Sequence, residues 1–116
     1  MKIVVIGSGG RESAIAWACR RHGHEVTIRP TLAARHPTDV TPDLVIVGPE
    51  TALADGVADE CRRRSLPCFG PTAEVAKLES SKGYARQLAT ALGLPSPRFM
   101  VTASAAEATE WWRQLG

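Results

Sequence analysis

At 116 residues the chain is long enough for one domain with a packed core and short of two. Apolar residues make up 44% and charged residues 22%, the balance of an ordinary soluble domain, which argues against disorder and against a membrane protein. Its 14 basic and 12 acidic residues leave a formal charge of +2, too small an excess for nucleic acid to be the main partner.

The chain opens on Ile3-Val4-Val5-Ile6, an apolar, β-branched run closed by Gly7, as expected of a strand buried on both faces of a parallel sheet. With so few apolar residues in a row it is neither a signal peptide nor a membrane span, and a cytoplasmic location is expected. After the turn Gly7-Ser8-Gly9-Gly10 the pattern predicts a helix from about Arg11, with Ala14, Ile15, Ala18 and Cys19 on its inner stripe. Arg20, Arg21 and His22 suit its last turn and Gly23 its cap. Glu25 to Ile28 then predicts a second strand. Arg29 to Pro42 holds three prolines and no apolar period, so a loop is expected.

Leu44-Val45-Ile46-Val47 predicts another buried strand, stopped by Gly48-Pro49, and a helix is expected from about Leu53 to Arg64 with Leu53, Val57 and Cys61 inside. Arg62, Arg63 and Arg64 then complement that helix's C-terminal dipole. Pro67-Cys68-Phe69 suggests a short edge strand. Thr72 to Leu92 is helical in pattern, in two pieces broken near Ser80-Ser81 and capped by Gly93. Leu94-Pro95-Ser96-Pro97 is extended, and Phe99-Met100-Val101 could form a strand. Thr102 or Ser104 caps a last helix carrying Trp111 and Trp112. Cys19, Cys61 and Cys68 lack CxxC spacing and have apolar neighbours, which predicts buried thiols in a reducing compartment. His22, His24 and His36 have no ligand-like spacing with them, so no metal site is expected.

Alternating apolar strands and helices predict an α/β fold: a small parallel sheet with flanking helices, Rossmann-like, followed by a helical linker. The expected division is 1–70 for the substrate-facing α/β domain, 71–100 for the linker and 101–116 for the start of a further region. Ligands of such sheets bind at the carboxyl ends of the strands. Two loops leave such ends.

In the first, Gly7-x-Gly9-Gly10-Arg11-Glu12, glycines bring N–H groups close to a ligand and the helix N-terminus favours an anion. As a dinucleotide fingerprint it is incomplete, because Glu12 stands where the third glycine would be. Arg29 stands where a ribose-binding acid is usual, and an arginine there could accept the 2′-phosphate of NADP, so an NADP-binding domain is one alternative. A tight turn without a ligand is another. Glu12 is either a first-turn carboxylate favoured by the helix dipole or a holder of a substrate amine or hydroxyl. In the second loop, Pro49 fixes the turn that presents Glu50, whose carboxylate can accept from both hydroxyls of a ribose or can cap a helix. Lys82, on pattern alone, is a solvated charge.

Three stretches carry a resemblance: MKIVVIGSGGRESAIAW, DLVIVGPETALADGVADECR and FGPTAEVAKLESSKGYARQLATALGLPSPRF. In that order they resemble the start of glycinamide ribonucleotide synthetase, the phosphoribosylamine–glycine ligase of purine biosynthesis. The resemblance implies the N-terminal, pre-ATP-grasp domain of an ATP-grasp ligase, facing the phosphoribosyl substrate. It implies that Gly9, Gly10, Arg11 and Glu12 line a phosphoribosylamine pocket, with Pro49 in the adjoining turn, that Glu50 holds the ribose, and that Lys82 reaches the ATP phosphates. ATP and Mg²⁺ are implied for the full-length enzyme, and no catalytic or metal-binding residue for this chain. It also implies that the chain ends near the start of the ATP-grasp strands, is inactive alone, and partners a missing or separate ATP-grasp domain, with a homo-oligomer as a further option.

The chain departs from the family in three places. Ser13 replaces a histidine after GGRE, Arg29-Pro30-Thr31-Leu32 replaces a proline-glycine-asparagine turn, and the stretch before GPE is shorter. A divergent paralogue with a smaller sheet is the expectation. The alternative in another functional class is a free-standing, non-catalytic module that binds a nucleotide or sugar phosphate, or a partner chain.

Overall fold

The computed structural model describes residues 1–33 and 41–115, which fall into two compact units divided after Ser80. The first holds β1 (Lys2–Ile6), α1 (Gly10–Arg21), β2 (Glu25–Arg29), β3 (Leu44–Val47), α2 (Glu50–Ala54), α3 (Val57–Arg63), β4 (Cys68–Phe69) and α4 (Ala73–Ser80). Its strands make one all-parallel sheet in the order β2-β1-β3-β4, the α/β fold expected.

The uninterrupted apolar run of β1 has a direct cause. Val4 and Ile6 face one layer, with Val45, Val47, Leu53, Ala58 and Cys61, while Ile3 and Val5 face the other, with Ala16 and Val26. Both faces of the central strand are covered by helices, so alternation disappears. At the edge, β2 buries only Val26 fully. The helix α1 packs on the second layer and α2 and α3 on the first, so the chain leaves β1 and β3 toward opposite faces and opposite edges. Such a reversal of strand order makes a crevice at the carboxyl ends of the two strands.

Four expectations are corrected. The inner stripe of α1 is Glu12, Ile15, Ala16 and Cys19, while Ala14 and Ala18 are exposed. With five small or short apolar residues around the helix, the apolar period did not point one way. The single helix expected over 53–64 starts earlier, at Glu50, and is broken at Asp55-Gly56, where Gly56 takes φ +83°. The cost of that left-handed conformation to a side-chain-bearing residue explains the glycine. The inward positions become Leu53, Ala58 and Cys61, with Val57 half-buried. Phe99-Met100-Val101 forms no strand. The loop expected over 29–42 begins one residue late, because β2 runs through Arg29, and its residues 34–40 lie outside the described residues.

The second unit holds α5 (Lys82–Ala91) and α6 (Ala105–Leu115). Each has a serine cap: the Ser81 hydroxyl accepts from the Tyr84 N–H at 3.3 Å, and the Ser104 hydroxyl from the Glu107 N–H at 3.2 Å. The Glu107 carboxylate reaches back to the Ala103 N–H at 2.8 Å, so Ser104 rather than Thr102 starts α6. Among the described residues no helix is long and apolar enough to cross a membrane.

Candidate functional site: a crevice between two loops

Parallel register puts Ile6 opposite both Arg29 and Val47, so three strands end at one level. The loops that follow are tied to the sheet by the Gly7 N–H donating to the Arg29 carbonyl at 2.7 Å and the Gly48 N–H donating to the Ile6 carbonyl at 3.0 Å. The glycine loop and the Gly48-Pro49-Glu50 turn thereby stand side by side.

Glu12 is the buried acid between them, 5% exposed. Its Oε2 accepts from the Gly9 N–H at 2.6 Å, which satisfies one N–H that the start of α1 leaves open. Its side chain occupies the space that neighbouring residues would otherwise fill. A Cβ on Gly7, which has φ +124°, would lie 2.6 Å from Glu12 Cγ and 2.9 Å from Pro49 Cδ. A Cβ on Gly48 would collide with Glu12 Oε1, and one on Gly9 would sit 2.9 Å from Oε2. Three glycines therefore answer to one glutamate. The position at which Glu12 breaks the dinucleotide fingerprint is the position from which it shapes the loop.

Gly10 differs. A Cβ there meets nothing within 4 Å. Packing does not demand this glycine, and the space beside the first turn of α1 is open. That turn carries the N–H groups of Gly10, Arg11 and Glu12, which have no acceptor within the helix, since the helical ladder begins with the Ser13 N–H donating to the Gly9 carbonyl at 3.1 Å.

Arg11 spans the crevice. Its Nη1 donates to the Gly48 carbonyl at 2.6 Å and lies 3.5 Å from Glu50 Oε2. Glu50 is the first residue of α2, with about half of its side chain exposed. The hydrogen bond from its own backbone N–H, and then the Arg11 guanidinium, hold its carboxyl below the usual carboxylate range. The group is an ionised acceptor at neutral pH and keeps room for a second partner.

Of the residues singled out from sequence, Gly9, Gly10, Arg11, Glu12, Pro49 and Glu50 come together here. Lys82 lies in the second unit, exposed, as the first residue of α5. The described residues contain no cluster of three or more His, Cys, Asp and Glu that could hold a metal. Sequence reasoning missed the bridge from Arg11 to Gly48, because its acceptor is a backbone carbonyl 37 residues away. It also missed the Asp59 carboxylate, which accepts from the Ala73 N–H at 2.8 Å and so ties α4 to α3.

Known proteins resemble this chain over most of its length. The family described as "Phosphoribosylglycinamide synthetase, N domain" matches residues 33–79. A phosphoribosylamine–glycine ligase of Phenylobacterium zucineum is 37% identical over 126 aligned positions, covering 90% of this chain and 30% of the relative. One from Xylella fastidiosa is 35% identical over 139 positions, covering all of this chain and 32% of the relative. The trifunctional purine biosynthetic protein adenosine-3 of Gallus gallus is 35% identical over 121 positions, covering 84% of this chain and 12% of that protein. The chain thus spans about a third of the length of the bacterial relatives. The alignment to the Xylella fastidiosa enzyme is longer than this chain, so the relative carries residues without a counterpart here.

Proposed function

The chain is a homologue of the N-terminal region of the phosphoribosylamine–glycine ligases, and from that premise we propose that it binds and orients the phosphoribosyl amine for an ATP-dependent carboxylate–amine ligase. In this reading the N–H groups at the start of α1 take the phosphate, aided by the helix dipole and by the space beside Gly10. The Glu50 carboxylate accepts from ribose hydroxyls, and Arg11 fixes the turn that carries it. Glu12, turned inward, gives the loop its shape.

The observation that carries the reading is this pairing, across adjacent strand ends, of an open helix N-terminus with a half-exposed ionised carboxylate. Together they suit a sugar phosphate, which has an anionic end and hydroxyls, better than a simple anion. The contribution to catalysis is proximity: a held amine attacks an acyl phosphate without the entropic cost of an encounter. ATP would supply the activation, bound mostly by parts of the enzyme outside the matched third, with Lys82 of this chain assigned to its phosphates.

Glu50→Gln tests the reading. Calorimetric titration with ribose 5-phosphate is expected to show affinity reduced roughly ten- to a hundredfold, the usual effect of removing a charge-assisted bond. The melting temperature should stay nearly constant, since Glu50 is exposed. Equal affinities, or a collapse in melting temperature, would reduce Glu50 to a cap of α2.

A further inference from the structure

A hollow of about 650 Å³ opens on the other side of the Pro49 turn. Ile6 and Pro49 belong to it, and these are also the residues at which β1 and the GPE turn enter the crevice. From there it runs between the residues that follow β2, Pro30 to Ala33, and the exposed side of α2 and α3. Its volume lies within the range of pockets that enclose a small ligand, and it exceeds what a pentose phosphate held by the crevice alone would use.

The lining states what chemistry it suits. The floor is apolar, formed by Ile6, Leu32, Pro49, Ala52 and Val57. At the far wall Glu60 is paired with both Arg63 and Arg64, which neutralises one of the two guanidiniums and leaves one positive charge there. Asp55, exposed at the C-terminal cap of α2, is the carboxylate on the rim outside those pairs, and the Thr51 hydroxyl stands beside it. An apolar floor with Asp55 and the Thr51 hydroxyl as acceptors at its edge suits an uncharged planar ring that carries N–H donors. A sugar phosphate alone would leave that floor uncovered.

We propose that this hollow is a second subsite, continuous with the crevice, that receives the heterocyclic base of a nucleoside 5′-phosphate whose phosphate rests at the N-terminus of α1. The proposal rests on the sugar-phosphate reading above and deepens it: the site accommodates a whole nucleotide, as a regulatory ligand, beyond the amine-bearing sugar. Ring faces cover Pro49, Ala52 and Val57, and Asp55 accepts from an exocyclic amine. The topology agrees, because the hollow sits at the carboxyl ends of the strands beside the point where strand order reverses.

The test is calorimetric titration of the chain with adenosine 5′-monophosphate, adenosine and ribose 5-phosphate, repeated on Thr51→Trp. Thr51 is exposed on α2 and the new ring fills the hollow without entering the core; a melting curve checks that the variant is folded. The expected result is adenosine 5′-monophosphate binding on the order of tenfold tighter than ribose 5-phosphate, with the gain lost in Thr51→Trp while ribose 5-phosphate is unaffected. Equal affinities for the two phosphates, or a gain that survives Thr51→Trp, overturns the subsite and leaves the sugar-phosphate reading standing. Binding of adenosine and adenosine 5′-monophosphate with equal strength, and none of ribose 5-phosphate, overturns the phosphate position and the sugar-phosphate reading while placing a base in the hollow. No binding of any of the three overturns both.

Discussion

Gly10 separates what the loop needs to fold from what it offers to a ligand. The glycines at 7, 9 and 48 are held by contact with Glu12, whereas Gly10 has empty space where a side chain would be. Alanine at Gly10 is therefore expected to leave stability unchanged or raise it by about 0.5 kcal/mol, since alanine is the better helix former. The same methyl would intrude on a phosphate approaching the first turn of α1. Ribose 5-phosphate affinity in Gly10→Ala is expected to fall about tenfold or more, with a melting curve and a titration as the two readouts. Unchanged affinity would count against the phosphate position. None of this could be inferred from the glycine-rich string alone, because all four glycines look alike until the Glu12 side chain is in place.

Between elements, the contact of α3 with β4 brings Cys61 and Cys68 together. Burial, and the neighbouring Cys68 after it, push the Cys61 thiol from its usual 9.0 up to about 11, and burial raises Cys68 as well. A raised thiol pKa means that the folded chain holds the proton more tightly than the unfolded one. The resulting stability is fully present below pH 9 and is lost as pH rises toward 11. The melting temperature should fall more steeply over that interval for the native chain than for Cys61→Ala, and parallel slopes would show that the thiol does not contribute. The expectation of three buried thiols holds for Cys61 alone, since Cys19 and Cys68 are half-buried, and the contact of Cys61 with Cys68 was not legible because it depends on how α3 lies over the sheet. Element boundaries show the same division. β1 and β3 were plain from their β-branched runs, while the break at Gly56 was hidden inside a pattern that suits one continuous helix. Two of the four stripe positions of α1, Ala14 and Ala18, were misread because Glu12, a charged residue, occupies an inward place beside Ala16.

For the molecule as a whole, the parallel sheet and the adjacency of the two loops followed from sequence, because strands apolar on both faces leave few arrangements. The size of the hollow beside Pro49 did not, since its lining comes from four separate segments with no shared motif. The second unit raises a question of association. Leu92, Leu94, Val101 and Trp112 expose 56–76% of their surface there, and Trp111 beside Trp112 is half-buried. Apolar exposure on this scale favours contact with another protein surface. We expect the apparent mass in light scattering to rise with concentration, and less so in Trp112→Ser. A constant monomeric mass for the native chain at high concentration would count against it.

The wedge formed by Glu12 also bears on which sequences this loop pair can reach by stepwise change. Alanine at Gly48 is expected to be harmful with Glu12 present and far milder once Glu12 is itself alanine. Each substitution alone is costly: one by overlap, the other by leaving the Gly9 N–H without its acceptor. A double-mutant cycle read by denaturant unfolding should give a coupling of about 0.5–3 kcal/mol, and additive effects would show that the wedge is loose. With strong coupling, neighbouring sequences are separated by an unstable intermediate. Positions 7, 9, 12 and 48 would then be inherited as a block, and a lineage could alter the ligand more readily through Gly10, Thr51 or Glu50 than through the loop's own frame.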